Sequence, residues 1–121
     1  MKYPSVGMKK AFDKMNEYKL TYIRYYNNHT LEHRISIITG LETWEYAHYN
    51  TWVGTVIIDK MKNKKVVKLS GLGYSSTDRD NFNGLLRLLN ISSVRIVKHH
   101  DNLYLQKNGE LLTGLEVETH D

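Results

Sequence analysis

A chain of 121 residues is the length of one domain and long enough to build a core without covalent staples. With 40% apolar and 25% charged residues it has ordinary globular composition, and the absence of cysteine excludes disulfides, thiol chemistry and thiolate metal sites. No apolar run approaches the roughly 18 residues of a membrane span, so no membrane partner is expected. No apolar stretch follows Met1–Ser5, so a secretory leader is not expected, and the glycosylation-like patterns at Asn28 and Asn90 carry no weight.

Along the chain, Pro4-Ser5 is a helix entry with Ser5 as cap, and Met8, Ala11, Phe12 and Met15 recur at helical spacing, predicting a helix over 5–18. Residues 20–26 (Leu-Thr-Tyr-Ile-Arg-Tyr-Tyr) turn β-branched and aromatic, as a strand does. A polar break at 27–30 separates them from a second expected strand over 34–39, the two making a hairpin. Residues 42–50 suit strand or helix. Strands at 52–58 and 65–70 form a second hairpin with a lysine-rich tip. Thr77 and Asp80 resemble a capping box, and Phe82, Leu85, Leu86 and Leu89 line one face of a helix over about 77–90. Strands at 94–98 and 102–106 follow, joined by His99-His100-Asp101. An Asn-Gly turn at 107–110 and a last strand over 111–117 complete the chain.

This order predicts an α+β domain, an antiparallel sheet carrying the N-terminal helix and one central amphipathic helix. The expected unit is a single domain over 1–121, with 1–50 as a candidate appended helix-hairpin subdomain and 52–118 as a ββαββ unit.

The charge of +4 is unevenly spread. Residues 1–59 carry seven Lys or Arg against six Asp or Glu; residues 60–107 carry ten against three; residues 108–121 carry none against four. A basic middle points to a polyanion or an acidic protein surface as partner. Its candidate contacts are Lys60, Lys62, Lys64, Lys65 and Lys68 on the hairpin, and Arg79, Asn83 and Arg87 at i, i+4 and i+8 on the helix. Aromatic side chains cluster at Tyr18, Tyr22, Tyr25 and Tyr26, then Trp44, Tyr46, Tyr49 and Trp52, suited to a sheet core or to an interface.

Catalytic patterns are weak. His29-Thr30-Leu31-Glu32-His33 has the spacing of one class of zinc peptidases, whose chemistry needs both histidines on one helical face. Here the motif abuts a β-rich segment and reads as a polar hairpin loop. Asp13, Glu17 and Lys19 fall on the first helix and its end, not on the strand pair that would present carboxylates to Mg²⁺. No nucleophile elbow, Walker loop or dinucleotide fingerprint occurs. A non-enzymatic protein with no cofactor and no metal is expected.

The stretch from Gly54 to Leu105 resembles a small domain of unknown function found in bacteriophage proteins. The matching residues are Val66-Val67-Lys68-Leu69-Ser70-Gly71, Gly73-Tyr74-Ser75-Ser76-Thr77, Arg79, Phe82, Asn83 and Leu85, ending at Leu103-Tyr104-Leu105. The resemblance implies a phage origin, which heavy use of Lys, Asn, Ile and Tyr suits, and it draws Tyr74 into the candidate partner-binding set. By analogy with small phage proteins it implies an anti-CRISPR-like inhibitor of a host defence nuclease or ribonucleoprotein, acting in the host cytoplasm. A small basic DNA- or RNA-binding or regulatory protein is the alternative.

Overall fold

Five successive strands place alternate side chains on one face, and two helices cover that face. The computed structural model describes residues 6–71 and 75–121. The elements are α1 (Val6–Tyr18), β1 (Tyr22–Tyr25), β2 (His29–Ile35), β3 (Glu42–His48), β4 (Thr51–Asp59), β5 (Lys64–Leu69), α2 (Ser76–Leu88), β6 (Val94–His99), β7 (Asn102–Lys107), β8 (Glu110–Leu111) and β9 (Glu116–Thr119). One sheet runs β1-β2-β3-β4-β5-β9 and a second runs β6-β7-β8, every described pair antiparallel. This is an α+β fold.

Met8, Ala11 and Met15 of α1, and Phe82, Leu85 and Leu86 of α2, are buried against Leu31, Trp44, Tyr46, Val53, Val56 and Val67 of the large sheet. The apolar faces read at helical spacing are therefore the core faces. Phe12 stacks on Trp44 at 4.8 Å between ring centroids. Both helices end in a left-handed residue. Lys19 (φ 56°) precedes the Leu20 amide bonding back to the Met15 carbonyl, and Asn90 (φ 63°) precedes the Ile91 amide bonding back to Leu86. Two-residue turns at Tyr49-Asn50 and Asn108-Gly109, all with positive φ, have the twist that closes antiparallel hairpins.

Several local expectations shift. The ambiguous stretch 42–50 contains strand β3. The histidine motif is strand rather than loop, since β2 begins at His29, and the strand expected over 34–39 ends at Ile35. Beyond it Ser36 closes a turn, its carbonyl accepting from the Gly40 amide at 2.8 Å and its Oγ from the Thr39 amide at 3.1 Å. The cap of α2 is Ser75 with Asp78, not Thr77 with Asp80. The strand expected over 111–117 divides into β8 and β9, in different sheets. Likewise β4–β5 and β6–β7 belong to different sheets, while β3 pairs along its length with β4, so residues 22–48 share one sheet with 51–69. The expected cap Ser5 lies outside the described residues.

Candidate partner-binding face

The lysines of the β4–β5 hairpin meet the acidic tail. Strand β9 pairs with β5 so that Lys68 stands opposite Glu116 and Val66 opposite Glu118. Lys68 Nζ lies 3.5 Å from Glu116 Oε1, and Lys64 Nζ lies 3.7 Å from Glu118 Oε1. Lys65 turns the other way and donates to the Leu89 carbonyl at 3.1 Å, a cation at the negative end of α2. Lys60 Nζ is 3.8 Å from Glu42, and Lys62 is exposed at the tip. Two acids of the tail thus lie beside lysines of the basic middle.

The polar stripe of α2 is also divided. Arg79 Nε donates to Asp80 at 3.1 Å. Asn83 turns inward to β6, its amide nitrogen donating to the Ile96 carbonyl at 2.8 Å and its amide oxygen accepting from the Ile96 amide at 2.7 Å. Arg87 remains at the rim of a cleft of about 470 Å³ between α2 and β6, floored by Leu86, Ile91 and Val94. Across this cleft stands Arg95, a residue that the sequence pattern did not single out because it sits alone on a strand. Among the described residues neither the Arg87 nor the Arg95 guanidinium has a hydrogen bond or an ion pair. The nearby Asp121 carboxylate is turned to other donors, accepting from the Ser92 and Ser93 amides at 2.6 and 2.7 Å and from the Ser93 and Thr119 hydroxyls. Burial opposes its ionisation, but these donors prevail and hold it well below the usual carboxylate range. Tyr74 lies outside the described residues.

A buried polar network ties the β1–β3 end of the sheet to α2. Tyr25 donates to Asn81 Oδ1 at 2.7 Å, while Asn81 Nδ2 donates to the Thr77 carbonyl at 2.9 Å, which fixes the amide orientation. The Tyr25 oxygen can then accept from Tyr46, and Tyr46 in turn accepts from His29 Nδ1 at 2.7 Å. The chain therefore runs one way, from His29 through two phenols to Asn81, and requires a proton on His29 Nδ1. Burial raises both phenols above the ordinary tyrosine range and lowers His29, with the neighbouring His48 adding to the latter. His48 stacks on His29 at 4.1 Å, and its Nδ1 lies 2.6 Å from Asp78, the capping carboxylate of α2.

The two motif histidines do lie on one face of β2, but His29 bonds to Tyr46 and His33 Nε2 lies 2.7 Å from Glu42. Among the described residues no three His, Asp or Glu side chains converge as a metal would require. Asp13 pairs with Lys9 on the exposed side of α1. Of the clustered aromatics, Trp44 and Tyr46 are core, whereas Tyr18, Tyr22, Tyr26, Tyr49 and Trp52 stay exposed.

No protein-family model, no curated protein and no solved structure matches the chain. Among the described residues no helix is long and apolar enough to cross a membrane.

Proposed function

We propose that the protein is a non-enzymatic binding module that takes an acidic surface of another macromolecule on its α2–β6 face. In the phage setting implied by the resemblance, it inhibits a host defence system by occupying a nuclease or its guide complex. The reading rests on Arg87 and Arg95, two guanidinium groups that have no acidic partner among the described residues and that line an apolar-floored cleft between α2 and β6. Held by a helix and a strand, they present rigid forks to carboxylate or phosphate, with apolar surface beside them to bury. Lys64, Lys65 and Lys68 contribute less, because Glu118, the Leu89 carbonyl and Glu116 already engage them.

Affinity capture from lysate of a low-GC bacterium carrying a defence nuclease tests the proposal. Wild-type protein retains the nuclease or its ribonucleoprotein, and the Arg87→Glu/Arg95→Glu variant loses it. Equal recovery by both, or recovery of no defence component, overturns the reading. Direct contact with DNA or RNA is the second reading, favoured by the same forks, which suit phosphate as well as carboxylate. Two phosphate contacts give a log–log salt slope near about −2 on duplex DNA, and absence of any shift at low salt removes that alternative.

A further inference from the structure

At one end of the large sheet two hairpin tips meet. Residues 26–28 join β1 to β2 and Tyr49-Asn50 joins β3 to β4; the pairings Tyr25↔His29, His29↔His48 and His48↔Thr51 put both at the same end. The Tyr49 amide donates to the Asn28 carbonyl at 2.7 Å and fastens one tip to the other. Both tips line a pocket of about 290 Å³, whose walls are Arg24, Asn27, Asn28, Thr30, Tyr49 and Asn50. That volume is at the lower end of the range of small-ligand sites.

Both tips hold a tyrosine in the left-handed region, Tyr26 at φ 50° and Tyr49 at φ 52°. That conformation is strained for a bulky residue, and Asn followed by Gly is the pair such a hairpin turn prefers. The chain uses that pair at Asn108-Gly109, so Tyr49-Asn50 points to a role that the turn itself does not need. The Tyr49 ring stacks on His48 at 4.5 Å, His48 stacks on His29 at 4.1 Å, and Asp78 holds His48 Nδ1 at 2.6 Å. The ring is thus backed by a fixed column, while the residue remains 70% exposed.

The polar groups of this pocket are unengaged. Among the described residues the side-chain amides of Asn27, Asn28 and Asn50 and the Thr30 hydroxyl make no hydrogen bond, and Asn28 Oδ1 is buried without a donor. Arg24 donates through Nη1 to the Asn27 carbonyl at 3.2 Å and keeps its other N–H groups.

Charge at this end is balanced. Among the described residues Arg24 is the one charged residue lining the pocket. Farther along the same face come Glu32 and Arg34, 3.6 Å apart, and Glu45 opposite Glu32. Two cations and two acids favour neither an anionic nor a cationic ligand. An uncharged ligand must be held by neutral donors and acceptors and by stacking, which this pocket offers. A saccharide meets that description, since its vicinal hydroxyls donate and accept at once and the C–H face of its ring lies flat on an aromatic side chain. A nucleobase presents fewer groups along its edge than three amides, a hydroxyl and a guanidinium can engage.

We propose that this end of the sheet binds a neutral saccharide, with one sugar ring on Tyr49 and its hydroxyls bonded to Asn27, Asn50, Thr30 and Arg24. The site is separate from the Arg87–Arg95 cleft and does not depend on what occupies that cleft.

Titration of isotope-labelled protein with maltotriose, mannotriose, galactobiose and chitotriose tests it, read by nuclear magnetic resonance at the side-chain amides of Asn27, Asn28 and Asn50. At least one of these neutral sugars shifts those signals at millimolar concentration. Tyr49→Asn/Asn50→Gly builds the preferred turn, so it keeps or raises the unfolding temperature while weakening sugar binding by roughly tenfold or more. Asn27→Gly, at φ 64°, removes a second amide without backbone strain and weakens binding in the same direction. The proposal is overturned if none of the sugars shifts those signals, or if both variants fold and bind as wild type does. It is equally overturned if adenosine shifts the signals and no sugar does.

Discussion

Asn83 closes the open edge of β6 by taking both backbone groups of Ile96, donating to its carbonyl at 2.8 Å and accepting from its amide at 2.7 Å. A side-chain amide has one donor and one acceptor side by side, so it can stand in for a neighbouring strand. Ile96 is fully buried, and water cannot readily replace those bonds. Asn83→Ala should cost about 2–4 kcal/mol, from two lost bonds and two orphaned backbone groups. Asn83→Asp keeps the acceptor, loses the donor and sets a carboxylate against the Ile96 carbonyl, so it should be no better. Urea denaturation measures both; a loss under about 0.5 kcal/mol would show that the clamp contributes little.

Gly54 lets α2 approach β4 closely. A Cβ there would lie 2.5 Å from Phe82 Cζ on one side and 2.9 Å from the Lys68 carbonyl oxygen on the other, so neither neighbour yields freely. Gly54→Ala should destabilise by about 1–3 kcal/mol through overpacking. Phe82→Leu removes the ring but not the carbonyl, so the double variant should be less destabilised than the two single losses added together. Strict additivity in a thermal-denaturation cycle would refute that coupling.

These two positions show what was legible in the chain. Apolar periodicity located α2 and its core face, because that period is local and the helix buries a single stripe. It could not say that Asn83, in the polar stripe, faces a strand edge, since the strand comes thirteen residues later. The capping box was misplaced by two residues because Ser75–Asp78 and Thr77–Asp80 have the same spacing; Asp78 prevails because His48 binds its other oxygen. Residues 34–39 have strand propensity, yet Ser36 and Gly40 form the turn there. Pairing of β9 with β5 joins segments about fifty residues apart with no turn between them, and no local signal records it. For that reason the basic middle and the acidic tail looked independent.

His29 makes stability depend on pH. Burial, helped by the nearby His48, lowers its pKa below the ordinary value, against a smaller opposing pull from Asp78. The unfolded chain therefore takes up this proton more readily than the folded one. The contribution is fully present above the unfolded pKa of about 6.5 and is lost as pH falls through that value toward the lower folded one. His29→Gln retains an N–H donor for Tyr46 and does not titrate. The stability advantage of wild type over His29→Gln should thus shrink between pH 7.5 and 5.5, by about 1.4 kcal/mol at most for each pH unit crossed. Urea midpoints at the two pH values measure it, and a gap that does not change with pH would exclude His29 as the titrating group.

The β5–β9 ion pairs should matter more for binding than for stability. Lys64–Glu118 and Lys68–Glu116 are partly exposed, at 3.7 and 3.5 Å, and such pairs contribute about 0–1 kcal/mol each. Glu116→Gln/Glu118→Gln should therefore change stability by less than about 2 kcal/mol while removing two negative charges from the lysine hairpin. Those acids restrain Lys64 and Lys68 and lower the local positive potential. Their neutralisation should tighten binding to a short DNA duplex at low salt and steepen the log–log salt dependence by up to about two phosphate contacts. Binding unchanged in both strength and slope would mean that the lysines do not reach phosphate even when released. The hairpin would then be a solvated surface of the sheet, leaving Arg87 and Arg95 as the groups through which an acidic partner is met.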